Sequence, residues 1–207
     1  GLGIRFNGRV ERSAGTMTGT VFRFLPGSEY RGSNDISARV DFQSGSKLKA
    51  IADITMGVAS NPSGVVFDGE MDVNDEIITL FDLDGVALGH LTSIEGGEIA
   101  CATPLSLAFG RTLIGHGTLR TPHVTIAGDV FTGLAPGLPE SWSVHGGVTF
   151  THRASYTCEF MYSFEGPPQH DLLHAFGPVV VGGTLNASLI PGYVPQRGDR
   201  IPLIRRE

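Results

Sequence analysis

Apolar and polar residues alternate one by one along most of this chain, in short runs. Residues 36–42, Ile-Ser-Ala-Arg-Val-Asp-Phe, do so strictly. A period of two places successive side chains on opposite faces of an extended backbone, so the run predicts a half-buried strand. Residues 4–10 alternate on either side of Asn7-Gly8. Residues 18–25 run into a Pro26-Gly27 turn, and residues 47–54 follow the turn Ser44-Gly45-Ser46. Further short runs lie at 65–67, 70–73, 77–80, 91–99, 105–109, 112–119, 124–130, 148–151 and 156–164. They are rich in β-branched residues and bounded by Gly, Asn, Asp or Pro, which marks strands and turns. No window of eleven or more residues carries apolar positions at i, i+3, i+4 and i+7 between capping residues, so no helix is predicted. Residues 57–64, rich in Ser, Asn, Pro and Gly, are the candidate for a protruding loop.

Glycine punctuates the strands. The chain holds 29 glycines in 207 residues, about double the ~7% of average usage. Gly-Gly or Gly-x-Gly pairs stand at 96–97, 115–117, 146–147 and 182–183. Their spacing is uneven, as expected of a solenoid whose turns vary in length. A coil turns a corner every few residues, and glycine reaches positive φ without steric cost.

The last coil adds a resemblance. Gly182-Gly183-Thr184-Leu185-Asn186-Ala187-Ser188-Leu189 runs into Pro191-Gly192-Tyr193-Val194-Pro195, then Gly198-Asp199 and a final run to Ile204. This resembles the closing coil of bacterial secreted β-helix proteins, namely autotransporter passenger domains and the autotransporter-like repeat proteins of planctomycetes. That coil reads roughly G-G-T-L-x-V-x-L-x-x-G-Y/F-x-P-x-x-G-D-x-F-x-L-L. Residues 82–99 resemble a second recurring segment of the family, and residues 112–119 its L-x-G-x-G-T-V coil. The segment at 134–147 keeps Pro136-Gly137 but departs from the pattern by placing Glu140-Ser141 at a second glycine. The resemblance spans 6–204 and is strongest after Val65. It implies an all-β, right-handed parallel β-helix: one β-solenoid domain over 1–207, with a looser N-terminal part over 1–64. It also implies a protein that is secreted and held at the cell surface in a structural role; the absence of a signal-peptide pattern at Gly1–Val10 and of an initiator Met is read as a mature, processed chain. From the strand pattern alone, a β-sandwich or jelly roll is the alternative.

Charge and cysteine usage narrow the reading. The net charge of −6 argues against nucleic acid as the main partner, which needs a basic face. No long apolar run lacks charges, so no membrane span is expected. Cys101 and Cys158 are too few for a disulfide scaffold. At roughly 20–25 residues per rung they stand two or three rungs apart, while bridged Cα atoms lie within ~7 Å. Two buried thiols are therefore expected rather than an internal disulfide, with a bridge between subunits left open.

Candidate chemistry is sparse. Asp82-Leu83-Asp84-Gly85 has the opening of a Ca²⁺ loop, but no downstream ligand set follows; a solvated turn is the simpler reading. His170 and His174 stand four apart, yet in a strand this separates them by ~13 Å, too far for one metal. His116, His123, His145 and His152 converge only if coils stack them together. Asp72, Asp75, Glu76, Asp82 and Asp84 form the densest acidic patch, read as turn residues and solubilising charges. Tyr156, Phe160, Tyr162 and Phe164 share one strand face. They predict a buried aromatic ladder, or else a sugar-binding or subunit-contact strip. No catalytic, cofactor-binding or metal-ligating residue is assigned, and no cofactor is expected. A solenoid has two open ends, and neither terminus carries an amphipathic helix to cover one. The expectation is a non-enzymatic structural protein whose copies join end to end or by strand exchange into a filament or surface layer. A carbohydrate-binding adhesin or a polysaccharide-degrading β-helix enzyme is the alternative.

Overall fold

The computed structural model describes residues 3–12, 15–33, 35–57, 64–134, 138–161, 169–191, 194, 197–198 and 200–207. Among these residues the chain is all-β with no helix. It winds through three walls in turn and returns to the first, one rung higher each time. The first circuit is β1 (Ile4–Phe6), β2 (Arg9–Arg12) and the start of β3 (Thr16–Phe24). The end of β3, β4 (Glu29–Gly32) and the start of β5 (Asp35–Phe42) stack on it. The end of β5, β6 (Lys47–Ala50) and β7 (Ile54–Met56) follow, then β8 (Val65–Phe67), β9 (Glu70–Asp72) and β10 (Ile77–Leu80). Next come β11 (Val86–Ala87) with the long β12 (Leu91–Cys101), and β13 (Leu105–Leu107) with β14 (Thr112–Arg120). In each of those two circuits one bent strand supplies both the second and third walls. The upper circuits are β15 (His123–Ile126), β16 (Asp129–Thr132) and β17 (Ser141–Val144), then β18 (Gly147–Phe150), β19 (Ser155–Met161), β20 (Gln169–His170) and β21 (Leu172–Ala175). The last circuit is β22 (Val179–Val180), β23 (Thr184–Leu189) and β24 (Ile204–Arg206).

Among the described residues every ladder between rungs is parallel; the antiparallel pairings are β20 with the end of β19 and the single bridge between Gly115 and Gly133. The fold is therefore a parallel β-solenoid. A sandwich or jelly roll is excluded, since both are built from antiparallel pairs. Alternation in the sequence is alternation across the wall: in β5, Ile36, Ala38, Val40 and Phe42 are buried and the residues between them are not. One continuous core runs from Met17 to Ala175.

Register stacks like on like inside. Phe6, Phe24, Phe42 and Phe67 occupy one inward column of the first wall. Their ring centroids step by 4.9, 4.3 and 4.8 Å with planes 19°, 6° and 9° apart. That step matches the ~4.8 Å between neighbouring strands, so the backbone ladder itself sets the rings at stacking distance. Higher on the same wall the in-register inward residues are Leu107, Ile126 and Phe150.

The glycine pairs sit at corners, but not at one corner. Pairs 96–97 and 115–117 bend β12 and β14 from the second wall to the third, pair 146–147 lies between third and first, and pair 182–183 between first and second. This is why their spacing is uneven. At Gly115, φ is +113° and a Cβ would lie 1.9 Å from the Ile94 carbonyl oxygen, so the corner tolerates no side chain.

The first wall has a seam. Strands β8 and β11 share no ladder, and the sheet divides there. Arg111, just before β14, closes the seam. Its guanidinium donates to the carbonyls of Phe67 (2.6 Å) and Leu88 and pairs with Asp68 at 2.7 Å.

Candidate functional site

The structure disperses most of the side chains that the sequence singles out. Asp82 is a turn residue: its carboxylate accepts from the amides of Val65 (2.7 Å) and Asp84 (2.8 Å). Both oxygens are thus engaged by backbone. Asp72 lies on the outer face of the second wall, 3.7 Å from Lys47 and 3.2 Å from Lys49. Asp75 and Glu76 border a separate groove of about 560 Å³ with Asn74 and Glu95. There desolvation first, then the charges of Asp75 and Asp53, raise the Glu76 pKa. The acidic patch of the sequence is therefore three separate environments.

Neither do the histidines converge. His116 meets Glu140 at 2.8 Å, and His123 meets Thr149 at 3.1 Å. The ring of His145 stacks on Phe176, and His152 is exposed. His170 and His174 fall on different strands. The first bonds the Pro202 carbonyl at 2.6 Å and the second meets Glu207 at 2.8 Å. Among the described residues, no three His, Cys, Asp or Glu side chains lie close enough to hold a metal ion.

Tyr156 and Phe160 are buried at 4% and 6% exposure, so the ladder reading holds for them and a sugar-binding strip there does not. Tyr162 and Phe164 lie outside the described residues, as do most of the loop at 57–64 and the turn residues Gly192, Tyr193, Pro195, Gln196 and Asp199. Cys101 and Cys158 are both free and buried. They stand on different walls, Cys101 ending β12 on the third and Cys158 in β19 above the second. Burial, with the nearby Asp171 charge, pushes the Cys158 pKa up to about 11, so it stays a thiol at neutral pH.

One residue carries more than its sequence context suggests. Asp171, between the two histidines, is 1% exposed. It accepts from the amide of Glu140 at 3.1 Å and that of Glu159 at 2.7 Å. It thereby ties the start of β17 to β19 where β20 interrupts the third wall. Burial raises its pKa, opposed by those two hydrogen bonds.

The outer face of the third wall brings together side chains that the sequence keeps far apart. Two parallel columns run up it. One holds Glu98, Thr118, Ser143, His174 and Arg205 in register. In the other, Thr79 pairs with Ala100 and Ala100 with Arg120. The amides of His145 and Phe176 then bond the carbonyls of Leu119 and Val144, carrying the same column up to those two residues. Arg120 leans across to Glu98 in a bidentate pair of 2.6 and 2.9 Å. That pair, and the charge of His145, hold the Glu98 carboxyl below its ordinary pKa against a smaller desolvation cost. The imidazole of His145 and the ring of Phe176 stack at 4.5 Å, 17° apart, and Phe176 is 51% exposed. Sequence reasoning missed this face because the column spacing varies from rung to rung.

The two ends of the solenoid are the other feature. At the upper end all six residues of β23 are exposed. Leu185 stands in register over buried Tyr156, and Leu189 over buried Phe160, yet they are 51% and 52% exposed. Beside them Phe150, Tyr156, Val181, Leu203 and Ile204 line an apolar cavity of about 150 Å³. At the lower end Ile4 pairs with the buried Phe22 and is itself 51% exposed. No family model, no curated protein and no solved structure matches this chain.

Proposed function

We propose that this chain is a structural, non-enzymatic building unit of an extracellular assembly, joined to further copies through the ends of its solenoid. The observation that carries the reading is the apolar upper rung. Leu185 and Leu189 stand in register with buried core residues, and among the described residues no strand pairs with β23 on its upper side. Core-facing leucines left in water forfeit about 1.5–3 kcal/mol each relative to full burial. The lower rung offers the matching surface: Ile4 and Phe6 face the core on the first wall, Val10 on the second. A parallel rung stacked in register covers such an end with both backbone bonds and apolar contacts. Upper-to-lower stacking is heterologous, so it propagates into a filament. Extracellular placement and membership among autotransporter-like repeat proteins rest on the resemblance of the closing coil. Dispersal of the titratable side chains into separate pairs supports a role outside catalysis.

Electron microscopy with sedimentation velocity tests the assembly. Filaments or sheets are expected for the chain as it stands, and single particles for Leu185→Asp with Leu189→Asp. Monomeric particles of the unsubstituted chain at high concentration would overturn it.

A further inference from the structure

We propose that the outer face of the third wall is a saccharide-binding site that takes a neutral pyranose ring between Ala100 and His145. The position follows from the column of outward residues. Going up that column the side chains are Thr79, Ala100, Arg120, His145 and Phe176. Ala100 is a methyl group, and the bidentate pair with Glu98 draws the Arg120 guanidinium sideways. A groove of about 430 Å³ lies along this column below His145, with Arg120 on its wall. Phe81, Ala100, Ala102 and Pro122 line it together with Thr79, His145 and Arg120 itself. The exposed lining is almost wholly apolar.

The chemistry of the groove selects its occupant. An apolar lining beside the stacked rings of His145 and Phe176 suits the apolar C–H face of a pyranose. The Arg120–Glu98 fork at the rim offers donor and acceptor side by side, the arrangement that adjacent hydroxyls of one sugar can bridge with charge-assisted hydrogen bonds. An aromatic side chain of a partner protein would leave that fork unused. A uronate is disfavoured, because the Arg120 charge is already matched by Glu98 and the added carboxylate would face it. Ser143 and Thr118 extend polar contacts up the neighbouring column, so a chain of sugars fits along the solenoid axis better than a single residue. Nothing in this site depends on assembly through the ends.

Calorimetric titration of the chain with neutral hexasaccharides, β-1,4-linked glucose, β-1,4-linked N-acetylglucosamine and α-1,4-linked glucose, with tetragalacturonate as the acidic probe, tests the site. Binding of at least one neutral hexamer is expected. Arg120→Ala and His145→Ala, both on the surface, should each weaken it by ~10-fold or more, equivalent to 1.4 kcal/mol. Phe109→Ala, an exposed aromatic away from this wall, should leave affinity unchanged. Circular dichroism confirms that each variant folds. Failure of all neutral hexamers to bind, preference for tetragalacturonate, or equal affinity in all three variants would each overturn the proposal.

Discussion

Asp171 illustrates how a single residue's role depends on surroundings that its neighbours in sequence do not reveal. The spacing of His170 and His174 draws attention to a metal pair, and the residue between them is the one the fold uses. Removing its carboxylate leaves two amides without an acceptor. Asp171→Ala is therefore expected to lower unfolding free energy by about 1–3 kcal/mol, the cost of an unsatisfied buried group, read by urea denaturation. Its pH dependence has a definite sign. Burial raises the folded pKa above the unfolded ~3.9, so the folded state holds the proton more tightly. This group's contribution is fully present below the unfolded pKa and is lost as pH rises through the folded value. The stability of the unsubstituted chain relative to Asp171→Asn should thus increase from about pH 7 to about pH 4. An unchanged or falling difference would show that the two backbone hydrogen bonds outweigh burial.

Between elements, the informative place is the seam of the first wall. Elsewhere on this wall the internal strands β13, β15 and β18 pair with the rung above and the rung below. Between β8 and β11 that ladder is missing, and the guanidinium of Arg111 serves the carbonyls of Phe67 and Leu88 together. A planar fork can do this where a single ammonium cannot span both acceptors and Asp68. Arg111→Ala should destabilise the chain by about 1–3 kcal/mol and speed amide hydrogen exchange in β8 and β11 more than in β13. Arg111→Lys should recover only part of the loss. Equal exchange in both variants and the unsubstituted chain would show that the seam is held by packing alone. The charged rungs outside the second wall matter less. Lys47 and Glu70 are exposed at the side chain, and such a pair contributes about 0–1 kcal/mol.

For the whole molecule, stability divides between internal rungs and ends. Internal rungs bury both backbone edges; end rungs bury one. If copies of the chain cover these ends, assembly binds the folded state alone and stabilises it by mass action. The midpoint of thermal unfolding should then rise with protein concentration. The variant carrying Leu185→Asp and Leu189→Asp should show a midpoint independent of concentration. A midpoint independent of concentration in the unsubstituted chain would argue that the ends are covered some other way.

The sequence by itself determined that this protein is built of short strands, which side chains face inward, and that its corners are glycine corners. Those properties are local: period-two alternation, as in residues 36–42, and φ at positions such as Gly115 are set within a few residues. Burial of Tyr156 and Phe160 followed from the same alternation. Only the tertiary structure decided which residues became neighbours. Turns of unequal length separate the rungs, so no fixed period links Phe24 to Phe42 and Phe67, or Glu98 to Arg120 and Arg120 to His145. The third-wall face and the Asp171 tie are products of stacking register, which arises from backbone pairing along the axis and leaves no short-range trace in the chain.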